Sequence, residues 1–156
     1  RALAPKLGAA PGALVLRSDE IRKRQHGVPP EQRLAQPAYS DPASEAVFAE
    51  LAGLAGETAR GGHAAIADAT FIDPRHRAML ADAACAARVR FVGLWLRAPL
   101  PDLEARIGAR RHDASDATVA VLHAASQSDP SPGDWIAIDA DEPAATEARA
   151  RRAIGA

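Results

Sequence analysis

Three short polar runs each follow an apolar segment: Arg17-Ser18-Asp19-Glu20-Ile21-Arg22, Asp68-Ala69-Thr70 and Asp139-Ala140-Asp141-Glu142-Pro143. If the apolar segments are parallel strands, these runs lie along the sheet edge where ligands of open α/β folds bind. Carboxylates converging there suit a magnesium–phosphate complex, because Mg²⁺ takes one or two carboxylates and fills its other positions with water and phosphate oxygens. A single aspartate after a strand often does no more than cap the next helix; three strand ends of four carrying one favour a site. Further along, Arg106 and Arg110 stand four residues apart, on one face of a helix. The polar break that follows, 112–116, has no apolar anchor, which predicts a segment able to move. Arginines on a closing flap would neutralise charge on a transferring phosphoryl group and expel water. The bland alternative is a solvated arginine face, since every basic residue except Lys6 and Lys23 is an arginine.

The elements that must position these groups alternate strand and helix, the pattern of a mainly parallel sheet covered on both faces. Strands are expected over 13–18, 64–67, 89–96 and 135–138, with 89–96 a near-continuous apolar run of the kind buried parallel strands show. Helices are expected over 1–7, 19–25, 41–60, 73–87, 103–111 and 116–122, and from 144 onward. Asp41-Pro42 and Asp73-Pro74 both read as a capping aspartate followed by proline at the first helical position. Asp116 is expected to cap in the same way. Val47, Leu51 and Leu54 recur at helical spacing before Gly61-Gly62 stops that helix. The stretch 27–39, rich in Pro, Gln and Arg, reads as an irregular excursion. One α/β three-layer domain over 1–156 accommodates all of this, with a lid at about 103–127.

Composition narrows the class. With 156 residues, 47% hydrophobic and 25% charged, the chain is long enough for one core. At 4% aromatic, that core must be filled by Leu, Val, Ile and Ala. A formal net charge of -1 argues against general nucleic-acid or membrane binding through a basic surface. The single cysteine, Cys85, sits in an alanine-rich stretch and is expected to pack inertly; it suits a reducing cytoplasm. No apolar run approaches the about 20 residues that span a bilayer, and no signal peptide is present, so a cytoplasmic protein is expected. His26, His63, His76, His112 and His123 show no metal-ligand spacing, and Ser18 and Ser40 lack a nucleophile-elbow context. Trp95 and Trp135 are expected in the core.

Taken together, these runs resemble the P-loop kinases of the gluconate-kinase, polynucleotide-kinase and zeta-toxin type, kinases with AAA-type ATP-binding domains, over nearly all of the chain. The resemblance implies a three-layer P-loop NTPase fold and transfer of the ATP γ-phosphoryl, with Mg²⁺, to a hydroxyl of a small molecule or a nucleic-acid end. It implies Asp19 as base and Arg22 as acceptor-binding residue, from an Asp-x-x-Arg pair. It further implies Asp68 for magnesium, Thr70 and Arg77 beside it, Arg106 and Arg110 on the lid, and Asp141 and Pro143 against adenine. The run 113–117 is similar to a lid sequence of one bacterial branch. The family's G-x-x-x-x-G-K-[ST] loop is not in this sequence, whereas Arg1-Ala2-Leu3-Ala4 is similar to the helix that follows it. The expectation is therefore a chain lacking the first strand and its loop, inactive alone, compatible with fusion to an upstream domain. A non-catalytic binding module and an ATP-hydrolysing switch stand as alternatives.

Overall fold

A computed structural model describes residues 2–110, 113–126 and 131–155. Arg1, Arg111, His112 and the stretch 128–130 of the expected loop lie outside these.

The chain begins with a single 3-10 turn, Ala4–Lys6, in place of the longer helix expected over 1–7. Strand β1 (Leu14–Arg17) runs without a break into helix α1 (Ser18–Gln25). The excursion over 27–39 is irregular until one 3-10 turn, Gln36–Tyr39. Helix α2 (Asp41–Arg60), strand β2 (Ala65–Asp68) and helix α3 (Pro74–Ala87) follow. The rest comprises β3 (Leu94–Arg97), α4 (Leu100–Ala109), α5 (Val119–Ser126), β4 (Ile136–Asp139) and α6 (Pro143–Ile154).

The architecture is α/β with parallel strands. β1 pairs with β2, placing Arg17 opposite Asp68, and β3 pairs with β4, placing Arg97 opposite Asp139. The expected single sheet is divided: among the described residues the strands form two two-stranded sheets with no ladder between them.

Of the three expected aspartate caps, one forms. Asp73 caps α3 as expected, its carboxylate accepting from the Arg75 amide at 2.8 Å. At α2 the capping position belongs to Ser40, extended at ψ 158, and Asp41 is already in the first turn. Asp116 caps nothing, because its carboxylate is engaged elsewhere, and α5 begins only at Val119.

One core is well closed. Leu16, Ile21, Val47, Phe48, Leu51, Ala52, Phe71 and Leu80 pack together between β1, α1, α2 and α3, with Val47 and Leu51 fully buried. Phe71 holds a left-handed backbone, φ 48, unusual for a bulky residue. Its ring centroid lies 5.5 Å from Phe48 and 5.0 Å from Trp135, and Trp135 meets Phe91 at 6.0 Å. Gly93 presses flat on that indole, where a Cβ would come within 2.4 Å. This aromatic chain links the first core to the second sheet.

The second sheet departs from expectation. Only 94–97 of the apolar run is paired, and Val89, Phe91 and Leu96 are 42%, 38% and 59% exposed. Burying both faces of a parallel strand takes covering elements on each side, and among the described residues β3 is paired with β4 alone. Cys85 is exposed as well, against the buried packing expected of it. Trp135 packs partly against the core, whereas Trp95 is half-buried beneath the Arg77 guanidinium at 5.6 Å. Among the described residues no helix is long and apolar enough to cross a membrane.

Candidate functional site

The carboxyl ends of β1 and β2 bring the first two polar runs together. β1 ends on Arg17, the first turn of α1 supplies Asp19, and β2 ends on Asp68 in register with Arg17. The Arg17 guanidinium is the hub: Nε lies 3.4 Å from Asp68 Oδ2, one terminal nitrogen 3.2 Å from Glu20, the other 2.9 Å from Asp113. Burial opposes its charge, but hydrogen bonds and charges from Asp113, Glu20 and Asp68 outweigh that and raise its pKa.

Asp19 is half-buried, and burial above all pushes its carboxyl above the usual aspartate value. A hydrogen bond from Ser115 and the charges of Arg17 and Arg22 pull it back in part, while Asp68 pushes the same way as burial. The Asp68 side chain is 59% exposed. One carboxylate with raised proton affinity thus lies within electrostatic reach of a second, open one. That donor set fits a hydrated Mg²⁺, whose charge would relieve the repulsion. No G-x-x-x-x-G-K-[ST] run occurs among the 156 residues.

Residues 113–116 of the segment expected to move are docked on the end of β1 and on α1. Asp113 binds Arg17, Ser115 binds Asp19, and Asp116 accepts from Lys23 Nζ at 2.6 Å, the Leu34 amide at 3.0 Å and the Tyr39 hydroxyl. Ala114, 4% exposed, is the apolar anchor the sequence reading found missing. Burial raises the Asp116 carboxyl, yet the bonds from Lys23, Tyr39 and Leu34 outweigh it and leave the pKa lowered. Lys23 itself is 1% exposed and also donates to the Gln32 carbonyl.

The other expected site residues scatter. Arg22 is buried, donating to the Ala38 carbonyl at 2.6 Å and Ser44 Oγ at 3.4 Å, with its guanidinium 4.8 Å above the Tyr39 ring. It braces the excursion and reaches Asp19 only through charge. Thr70 is exposed just beyond β2. Arg77 donates to the Ser131 carbonyl at 2.6 Å and covers Trp95, outside the Asp19–Asp68 cluster. Arg106 donates to the carbonyls of Ala140 and Asp141, which joins it to the run after β4. There Asp141 is held ionised by Arg149 at 2.6 Å, and Pro143 opens α6. Arg110 shares an open pocket with Glu31, Arg33, Asp113 and Ser115, and its charge helps lower the Asp113 carboxyl.

Lys23 and Tyr39 carried no expected role; Arg17 was expected only as part of the first polar run, Ser115 only within the lid-like run 113–117, and Asp116 as a helix cap. A usable signal was the spacing Asp113-x-Ser115-Asp116, three polar side chains around one alanine, opposite a strand end and helix that carry Arg17 and Lys23.

Residues 2–129 match the protein family described as AAA domain. No curated protein matches the chain.

Proposed function

The chain belongs to the AAA domain family, a P-loop NTPase-type family, and from that premise we propose that the protein is an ATP-dependent kinase. In this reading the ATP γ-phosphoryl passes to a hydroxyl of a small molecule or a nucleic-acid end, in the manner of the gluconate-kinase, polynucleotide-kinase and zeta-toxin type, within the cytoplasm. The observation that carries it is the pair formed by Asp68, at the end of β2, and Asp19, in the first turn of α1 just beyond the adjacent strand β1, with Asp19 raised in proton affinity by burial.

Asp19 takes the proton of the attacking hydroxyl. Its raised pKa brings its basicity closer to the working pH, which is what an efficient general base needs. The hydrogen bond with Ser115 helps fix its orientation, and the charge of Arg17 opposes the upward shift in part. Arg22 shapes the acceptor side by holding 27–39 against α1 through Ala38 and Tyr39, and Arg77 contributes to acceptor binding on α3. Asp68 would hold Mg²⁺ or one of its waters, with Thr70 close behind, and the ion would spread phosphate charge when bound. Arg106 and Arg110 offer cationic groups to the phosphates, and the 139–143 run that Arg106 grips, including Asp141 and Pro143, rests against the base. The docking of 113–116 on Arg17 and Lys23 is consistent with a lid over 103–127 in its closed position.

The test is transfer from ATP to a panel of hydroxyl acceptors, comparing the full-length protein with its Asp19→Asn variant. The variant is expected to lose about 10²–10⁴-fold in kcat while binding ATP as before. Undiminished turnover would remove Asp19 from the mechanism. Phosphate release without a phosphorylated acceptor would assign the protein to ATP hydrolysis instead.

A further inference from the structure

His76 is a buried polar side chain that the proposed chemistry leaves unused. It lies in the first turn of α3, 8% exposed, its ring stacked on Phe48 at 3.7 Å and 7°. Its Nε2 is buried and makes no hydrogen bond. Buried polar atoms are paired in the great majority of cases, so an orphan of this kind calls for an account. Nε2 lies 3.4 Å from Glu45 Oε1, and Asp73 completes a group whose potential ligand atoms all lie within 4.8 Å of one another.

The geometry points to a divalent transition-metal site formed by Glu45 Oε1, Asp73 Oδ2 and His76 Nε2, suited to a borderline ion such as Zn²⁺. Ligand atoms about 2.0–2.2 Å from a tetrahedral zinc lie about 3.3–3.6 Å apart, so the His76–Glu45 pair already has the spacing of two ligands. One imidazole nitrogen and two carboxylate oxygens, with water fourth, share the plan of open zinc sites, three protein ligands and one free position, with one imidazole fewer than the His₂Glu set. The Phe48 stack fixes the plane of the imidazole, which is the orienting role an outer shell normally supplies.

Arg75 holds the place of the ion. Its guanidinium pairs with Glu45 at 3.3 Å and Asp73 at 2.6 Å while its side chain stays 70% exposed, free to swing into water. Asp73 Oδ1 keeps the capping bond to the Arg75 amide, but Oδ2 is bound by the guanidinium alone. Displacing Arg75 therefore frees one oxygen for a metal and leaves the helix cap intact. The ion would clip the start of α2 to the start of α3. The histidines show no ligand spacing among themselves because the other two ligands are carboxylates, one three residues back and one on another helix.

Titrating the chelator-treated protein with Co²⁺, followed by its visible d–d bands and by Zn²⁺ displacement, tests this directly. One equivalent displaced by Zn²⁺ but not by equal Mg²⁺ is expected, with thermal unfolding raised by Zn²⁺. Glu45→Gln and Asp73→Asn should each weaken Co²⁺ binding by at least about 10-fold. Both keep the native volume, and Asn retains the cap, so these two variants decide the matter even if changes at buried His76 unfold the protein. Arg75→Ala should tighten binding by removing the resident cation. Absence of a Zn²⁺-displaced band, unchanged affinity in Glu45→Gln and Asp73→Asn, or weaker binding in Arg75→Ala would each overturn the site.

Discussion

The two parallel strand pairs end alike and are worth different things. β1 and β2 close on Arg17 opposite Asp68, and β3 and β4 close on Arg97 opposite Asp139. Arg17 is 13% exposed at its side chain and gathers three carboxylates over a closed core. Arg97 and Asp139 are 57% and 67% exposed, and their 2.9 Å contact stands in water. An exposed pair of that kind contributes about 0–1 kcal/mol. The cross-strand chemistry is the same, so the difference comes from what lies beneath it. Helices α1, α2 and α3 bury their apolar stripes against β1 and β2, whereas α4 buries none of its residues. A site that depends on placement to fractions of an ångström belongs on the first pair, and Asp19 and Asp68 are there.

The largest effect should come from cutting the link between the regions. Phe71→Ala removes the ring that joins Phe48 to Trp135. Alanine at φ 48 keeps the backbone strain, so the change reports the ring. A loss of about 3–5 kcal/mol is expected in urea denaturation, with tryptophan fluorescence changing before far-ultraviolet dichroism. Coincident transitions and a loss under about 1 kcal/mol would mean that the second sheet is held by other contacts.

Next in size is the contrast between cores. Leu51, fully buried in the first, should cost about 2–5 kcal/mol as Leu51→Ala. Leu96, 59% exposed on β3, should cost within about 0.5 kcal/mol as Leu96→Ala. Equal costs would show that something covers Leu96 in solution.

This asymmetry also marks how far the sequence could be read. Element types and order were legible, because Val47, Leu51 and Leu54 announce a helix at 3.6 spacing and Asp73-Pro74 announces its successor's start. The extent of the 89–96 strand was not, since an apolar run says that a segment can be buried on both faces and leaves open whether partners occupy both edges. Asp19 and Asp68 could be placed on one edge from strand ends alone. Arg17 as their hub could not, because its importance depends on a register that four-residue strands with no alternating pattern leave unspecified. The docking of 113–116 escaped for a related reason. Asp116 looked like a helix cap locally, and only the fold brings buried Lys23, 93 residues earlier, to its carboxylate.

The smallest effects test the strand-end pairs themselves. Arg17→Met should cost about 1–3 kcal/mol, the range for charge-assisted hydrogen bonds, because it strands Asp113 and Asp68 without their cation. Arg97→Met should cost about 0–1 kcal/mol, a difference that 1 M salt erases. Proton linkage separates the two further. The hydrogen bond from Arg17, with that from the Ser115 amide, holds the Asp113 carboxyl below its usual value. Its contribution is therefore complete above about pH 4, the ordinary aspartate range, and disappears as pH falls through the lowered folded value. Arg17→Met should lose that acid-sensitive part, so its stability falls less steeply than wild type below about pH 4, while Arg97→Met should run parallel to wild type. Parallel acid limbs in both variants would mean that Asp113 is held by its backbone partner alone, and that the apparent hub at Arg17 is a packed arginine with charges nearby.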